Sequence, residues 1–140
     1  MALVTGSSRG IGRAIALALA AEGADVAINF VKRSAEAHGA ELEVRKLGRR
    51  STSIQADVSA ANDVKRLVKT TEDVLGPVDI LVNNAGIARP QPIEEIAEED
   101  WDQILTGNLK SCFLMTQAVL PAMRARKWGR ILNLSSVAAQ

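Results

Sequence analysis

Ala2-Leu3-Val4-Thr5-Gly6-Ser7-Ser8-Arg9-Gly10-Ile11-Gly12 stands at the head of the chain, and its reading decides the fold. A short apolar run ending in Thr-Gly has the form of a buried strand entering a turn. Three glycines follow at G-x3-G-x-G spacing, and Ile11, Ala14, Ile15, Ala18 and Leu19 then recur at helical intervals. Gly6 allows the tight exit from the strand. Gly10 lets backbone approach a pyrophosphate with no side chain between, and Gly12 permits close packing of the helix on the sheet. The helix N-terminus offers unpaired N–H groups and partial positive charge to a phosphate. The spacing differs from the common G-x-G-x-x-G fingerprint, so the reading rests on placement at the first strand-to-helix turn.

The same alternation continues outward. Gly23 stops the first helix, and Val26-Ala27-Ile28 makes a second strand. Ser34 is expected to cap a second helix with Ala37, Ala40, Val44 and Leu47 on one face and Gly48 at its end. Residues 53–58 read as a third strand. Ser59 opens a third helix carrying Val64, Leu67, Val68, Thr71 and Leu75, closed by Gly76-Pro77. Residues 79–82 read as a fourth strand. A loop with Pro90 and Pro92 then leads to one long helix, from about Glu98 towards Arg126, with a kink expected at Pro121. Residues 131–134 form a fifth strand running into Ser135-Ser136. Continuous apolar strands alternating with helices predict a doubly wound parallel sheet, a three-layer α/β/α Rossmann fold. Residues 1–140 read as a single domain, incomplete on its C-terminal side.

Composition narrows the function classes. Over 140 residues, 17 basic side chains nearly balance 16 acidic ones, which argues against nucleic acid or an anionic membrane surface as partner. Cys112 is the only cysteine and His38 the only histidine, too few for an internal disulfide or a zinc site, and a cytoplasmic setting is the expectation. Arg9 and Arg13 before AIALALAA imitate a signal peptide, but the three glycines and the preceding strand favour an amphipathic helix. His38 is expected to face solvent, Cys112 to be a small buried apolar group, and Trp101 to be a packing residue. The acidic cluster of Glu94, Glu95, Glu98, Glu99 and Asp100 suits a helix N-terminus.

Coenzyme choice is read after the second strand, where a carboxylate would hold a ribose 2′-hydroxyl and a cation a 2′-phosphate. The chain has Asn29-Phe30-Val31-Lys32-Arg33-Ser34 there. No carboxylate appears in that stretch, so Lys32 and Arg33, with Arg9 from the glycine loop, are expected to favour NADP(H) over NAD(H). The bland alternative is that Lys32 and Arg33 are solvated residues at a helix start.

Thr5-Gly6-x3-Gly10-Ile11-Gly12, Asn83-Asn84-Ala85-Gly86, Asn108 in Gly107-Asn108-Leu109-Lys110, and Leu134-Ser135-Ser136 occur in order at the expected elements. Together they resemble the signature of the short-chain dehydrogenase/reductase family over essentially the whole chain, and are closest to its 3-oxoacyl-carrier-protein reductase branch. The resemblance implies a coenzyme cleft built from Thr5, Gly6, Ser8, Arg9, Gly10, Ile11, Gly12, Lys32, Arg33, Asp57, Val58, Asn83, Ala85 and Gly86, with Asp57-Val58 at the adenine. It also implies hydride transfer between nicotinamide and a small-molecule carbonyl or alcohol. Ser136 would hydrogen-bond the carbonyl oxygen, and Asn108, expected in a buried polar role, would order a proton-relaying water. Dimers or tetramers are implied for a full-length enzyme.

The family's proton donor is a tyrosine, with a lysine four residues later, and this chain contains no tyrosine. The expectation is therefore the N-terminal portion of a longer reductase or dehydrogenase. The competing reading is a non-catalytic dinucleotide-binding module or an inactive fragment.

Overall fold

The computed structural model describes residues 1–136. Its elements run β1 (Ala2–Val4), α1 (Gly10–Ala21), β2 (Val26–Phe30), α2 (Ser34–Lys46), β3 (Ser51–Gln55), α3 (Ala61–Leu75), β4 (Ile80–Asn83), α4 (Glu98–Leu105), α5 (Ser111–Ala125) and β5 (Arg130–Asn133). The strands form one sheet in the order β3-β2-β1-β4-β5, and every neighbouring pair is parallel. β1 lies at the centre, with Ala2 beside Val26 on one side and Ile80 on the other. The chain winds from β1 towards β3 and then resumes at β4 on the opposite side. That reversal puts a topological switch point between β1 and β4, where open α/β sheets hold ligands.

Strand periodicity divides the core between the two faces of the sheet. Ala2, Val4, Val26, Ile28 and Val82 point to one face and pack with Ala16 and Ala20 of α1 and Ala37, Ala40 and Val44 of α2. Leu3, Ala27, Ile54 and Leu81 point to the other, against Leu67 and Val68 of α3 and Met115, Val119 and Met123 of α5. Burial on both faces explains why β1, and β2 and β4 apart from Asn29 and Asn83, are apolar. Each fully buried leucine, such as Leu3, Leu67 or Leu81, contributes about 1.5–3 kcal/mol relative to exposure. Among the described residues, no helix is long and apolar enough to cross a membrane.

Several local expectations are corrected. The buried face of α1 is Gly12, Ala16 and Ala20, while Ile11, Ala14 and Ala18 are exposed. Ala16 and Ala20 let the helix lie close to the sheet, and that contact outranks hydrophobicity in choosing the face. Arg33, rather than Ser34, occupies the N-cap of α2, without a side-chain capping bond, and Leu47 lies just past the helix end, exposed. β3 begins at Ser51 and ends at Gln55, because its partner β2 runs from Val26 to Phe30 in that register. Asp57 and Val58 therefore fall in the turn that follows. Ser59 precedes α3 and binds Asp57, while Ala60 takes the N-cap. The long helix is broken by a π-helical turn at Thr106–Lys110, whereas Pro121 sits inside α5. Trp101 is exposed, since α4 buries none of its residues. Cys112 is half-buried, its thiol donating to the Asn108 carbonyl. The His38 side chain is exposed, as expected.

Candidate functional site

The loop after β1 and the loop after β4 part at the switch point and enclose a cleft of about 940 Å³. Gly6, Ser8, Arg9, Gly10, Ile11 and Gly12 form one wall and Asn84, Ala85, Gly86 and Ile87 another. Phe30, Val31, Lys32 and Arg33 contribute from the end of β2, Asp57, Val58 and Ser59 from the turn after β3. α4 and the π-turn add Asp102, Gln103, Thr106 and Gly107. The apolar and polar sides of the cleft thus come from five separate chain segments, gathered by the parallel sheet.

The glycine loop is held by buried polar side chains behind it. Asn29 accepts the Gly6 amide at its Oδ1 (3.1 Å), and its Nδ2 donates to the carbonyls of Ile54 (3.4 Å) and Ala56 (3.0 Å). Ser7 Oγ donates to the Val4 carbonyl (2.7 Å) and accepts the Asn29 amide (3.1 Å). The loop and the ends of β2 and β3 are thereby tied together. Thr5 is buried outside the cleft lining, and its hydroxyl accepts the amides of Asn84 (3.0 Å) and Ala85 (2.9 Å). It braces the two loops against each other.

Gly10 and Gly12 differ in what surrounds them. Gly10 has φ +56°, and a Cβ there would meet nothing within 4 Å, so the position is conformationally demanding and open at the start of α1. A Cβ on Gly12 would lie 2.4 Å from Asn84 Nδ2 and 2.7 Å from the Gly6 carbonyl oxygen. The close neighbours of Gly12 are therefore Asn84 and the loop itself, a correction to the expected contact with the sheet.

Three asparagines, two at the end of β4 and one in the π-turn, differ from their expected roles. Asn83 is buried and donates to Asn133 Oδ1 at 2.8 Å, linking β4 to β5, so it does not line the cleft. Its neighbour Asn84 does line it, because successive side chains point to opposite sides. Asn108 is exposed rather than buried. Its Oδ1 accepts the Ile87 amide (2.7 Å) and its Nδ2 donates to the Ile87 carbonyl (2.9 Å), a two-point clasp from the π-turn onto the loop after β4. π-turns of this kind recur at functional sites. Ser136 lies three positions past the end of β5, exposed and outside the cleft lining.

The basic rim carries an acidic partner. Arg33 Nη1 stands 3.0 Å from Glu36 Oε1, in the first turn of α2. A hydrogen bond from Glu36's own backbone amide, then the Arg33 side chain, with the charges of Arg33 and Arg9, hold the Glu36 carboxyl below its ordinary range. Residues 29–34 themselves hold no carboxylate, and the partner of Arg33 arrives from the next turn of chain. In the turn after β3, Asp63 accepts the Asp57 amide at 2.8 Å, and that bond, with Arg66, holds its carboxyl below the ordinary range.

Asn29, Ser7, Asn84 and Glu36 are residues to which motif reading gave no role, although Ser7 and Asn84 stand within the motifs. A polar side chain inside an otherwise apolar strand, as in Val26-Ala27-Ile28-Asn29-Phe30, was the available signal for the first. Ser7 lies between motif glycines, and Glu36 lies one helical turn beyond the motif.

Comparison with known proteins matches the short chain dehydrogenase family model over residues 1–140. The chain is 45% identical over 138 residues to a 3-oxoacyl-[acyl-carrier-protein] reductase of Synechocystis sp., covering 99% of this chain and 56% of that protein. It is 44% identical over 136 residues to 3-oxoacyl-[acyl-carrier-protein] reductase FabG of Staphylococcus aureus, covering 97% of this chain and 55% of that one. The crystal structure of a putative short-chain alcohol dehydrogenase from Sinorhizobium meliloti superposes with a TM-score of 0.93 at 38% identity. That superposition covers 99% of this chain and 54% of the other. The chain spans about half the length of the relatives it matches.

Proposed function

The chain belongs to the short-chain dehydrogenase family, and on that premise we propose that its cleft holds NADP(H) for a carbonyl reductase or the reverse alcohol dehydrogenase, similar to 3-oxoacyl-carrier-protein reductases. The observation that carries this reading is the open, positive-φ Gly10 at the N-terminus of α1, beside the switch point between β1 and β4. A diphosphate needs bare backbone, unpaired amides and partial positive charge, and all three meet there. Lys32, Arg33 and Arg9 on the rim are the residues to receive a 2′-phosphate. Asp57 and Val58 would border the adenine, and Ala85 and Gly86 the nicotinamide half.

When bound, the nicotinamide supplies or accepts the hydride equivalent. The chain's own residues orient it: the Asn29 and Ser7 bonds fix the glycine loop, and the Asn108 clasp on Ile87 fixes the opposite wall. Ser136 is assigned a hydrogen bond to the substrate oxygen, where charge develops. The proton donor expected of the family, a tyrosine, is not among these 140 residues. Trp101, Leu105, Leu109 and Phe113, exposed along α4, the π-turn and the start of α5, support self-association of a full-length enzyme.

Thermal unfolding in the presence of NADPH and NADH tests the cofactor reading. Ligand at 100 times its Kd adds about 2.7 kcal/mol of stability, so NADPH should raise the midpoint at lower concentration than NADH. Replacing Lys32 and Arg33 by alanine should remove that difference. No shift with either coenzyme would reject the reading.

A further inference from the structure

Arg33 is the one basic rim residue with a close carboxylate partner among the described residues: its guanidinium lies 3.0 Å from Glu36 Oε1, with both side chains about half exposed. Arg33 lines the cleft and Glu36 does not. Glu36 is also fixed from the other side, since a carboxylate at this position of α2 is favoured by the helix dipole. The pair is therefore formed before any ligand arrives, on the segment where a ribose substituent would be read.

We infer that Glu36 is a specificity-determining residue that tempers the preference for a 2′-phosphorylated coenzyme. The inference rests on the NADP(H) reading of the cleft. A dianionic phosphate approaching Arg33 must share it with Glu36 or displace that carboxylate, and either course weakens the contact through like-charge repulsion. A ribose 2′-hydroxyl brings no charge and does not compete. The same carboxylate thus acts against NADPH and leaves NADH untouched. Because the pair is solvent-exposed, the effect is modest, on the order of two- to fivefold in affinity, and screened by salt.

The test is titration of the 140-residue chain and its Glu36→Gln and Glu36→Ala variants with NADPH and with NADH, at low and at high salt. Both variants should bind NADPH about two- to fivefold more tightly with NADH affinity unchanged, and the gain should shrink at high salt. An unchanged NADPH-to-NADH ratio, or an equal change for both coenzymes, overturns the inference while the cleft assignment stands. If the parent chain binds neither coenzyme, or if Lys32→Ala with Arg33→Ala leaves its preference intact, the cofactor reading itself falls and takes the inference with it.

Discussion

The side-chain amide of Asn84 donates to the carbonyl oxygens of Thr5, at 2.8 Å, and Gly6, at 3.1 Å. Thr5 answers through its hydroxyl, which accepts the Asn84 and Ala85 amides. This reciprocal bracket joins two loops nearly eighty residues apart in sequence, across the switch point. Asn84→Ala should cost about 1–3 kcal/mol, the worth of two lost bonds, by urea unfolding. Coenzyme affinity should fall beyond that of a surface control such as Lys65→Ala. Unchanged stability would show that the bracket is dispensable.

The two loop glycines should respond differently to an added methyl. Gly10→Ala meets open space but must adopt a left-handed conformation, a cost of about 1–2 kcal/mol, and its methyl would project where phosphate is assigned. Gly12→Ala would press on Asn84 Nδ2 and the Gly6 carbonyl, and overpacking of this kind costs about 1–3 kcal/mol. Removing Asn84 as well should relieve part of that cost. A Gly12→Ala, Asn84→Ala double variant that loses the full sum of the two single losses would contradict the contact.

Asp25 predicts a pH dependence. Burial pushes its carboxyl up, but hydrogen bonds from the Arg50 backbone and side chain, with the charges of Arg50 and Arg49, outweigh this and hold it below its ordinary 3.8. A depressed carboxyl contributes stability that is complete above its unfolded pKa and is lost as pH falls through the folded one. The native protein should therefore exceed Asp25→Asn in stability at pH 7, and the gap should narrow once pH drops below about 4. Chemical unfolding across that range checks the sign. A gap of constant size would assign the loss to something other than the ionised carboxylate.

The outer edge of β3 is guarded by side chains standing in for a neighbouring strand. Glu41, buried, accepts the Ser53 amide at 2.9 Å, and Arg45, paired with Glu41, donates to the Ser51 carbonyl at 2.9 Å. Glu41→Ala strips an acceptor from that edge and should cost about 1–3 kcal/mol, with faster aggregation on warming. Glu41→Gln, which keeps an acceptor oxygen, should recover part of the loss. Light scattering and urea unfolding read the two effects separately, and equal behaviour of the alanine and glutamine variants would dismiss the edge role.

Local pattern made most of the fold legible. Continuous apolarity in Ala2-Leu3-Val4 and Val26-Ala27-Ile28 announced strands buried on both faces, and the sheet bears this out. The glycine loop was legible for the same reason, since its demands on backbone are local. The errors fell where partners lie far away in sequence. β3 was placed two residues late at its start and three at its end because its ends follow its pairing with β2. The exposed Ile11 was grouped with the core-facing side of α1 because periodicity cannot tell that the sheet approaches closely enough to prefer alanine, or that the neighbouring loop leaves room only for glycine at position 12.

The amino-acid order by itself determined the alternation of strand and helix, the glycine turn and the motifs on which family membership rests, because each depends on residues within one or two turns of chain. Tertiary structure alone decided that Asn84 rather than Asn83 faces the cleft, that Asn108 spends its amide on Ile87, and that Glu36 attends Arg33. Those outcomes turn on which side chains a parallel sheet and its connecting turns carry to within hydrogen-bonding distance, and spacing along the chain does not encode that distance.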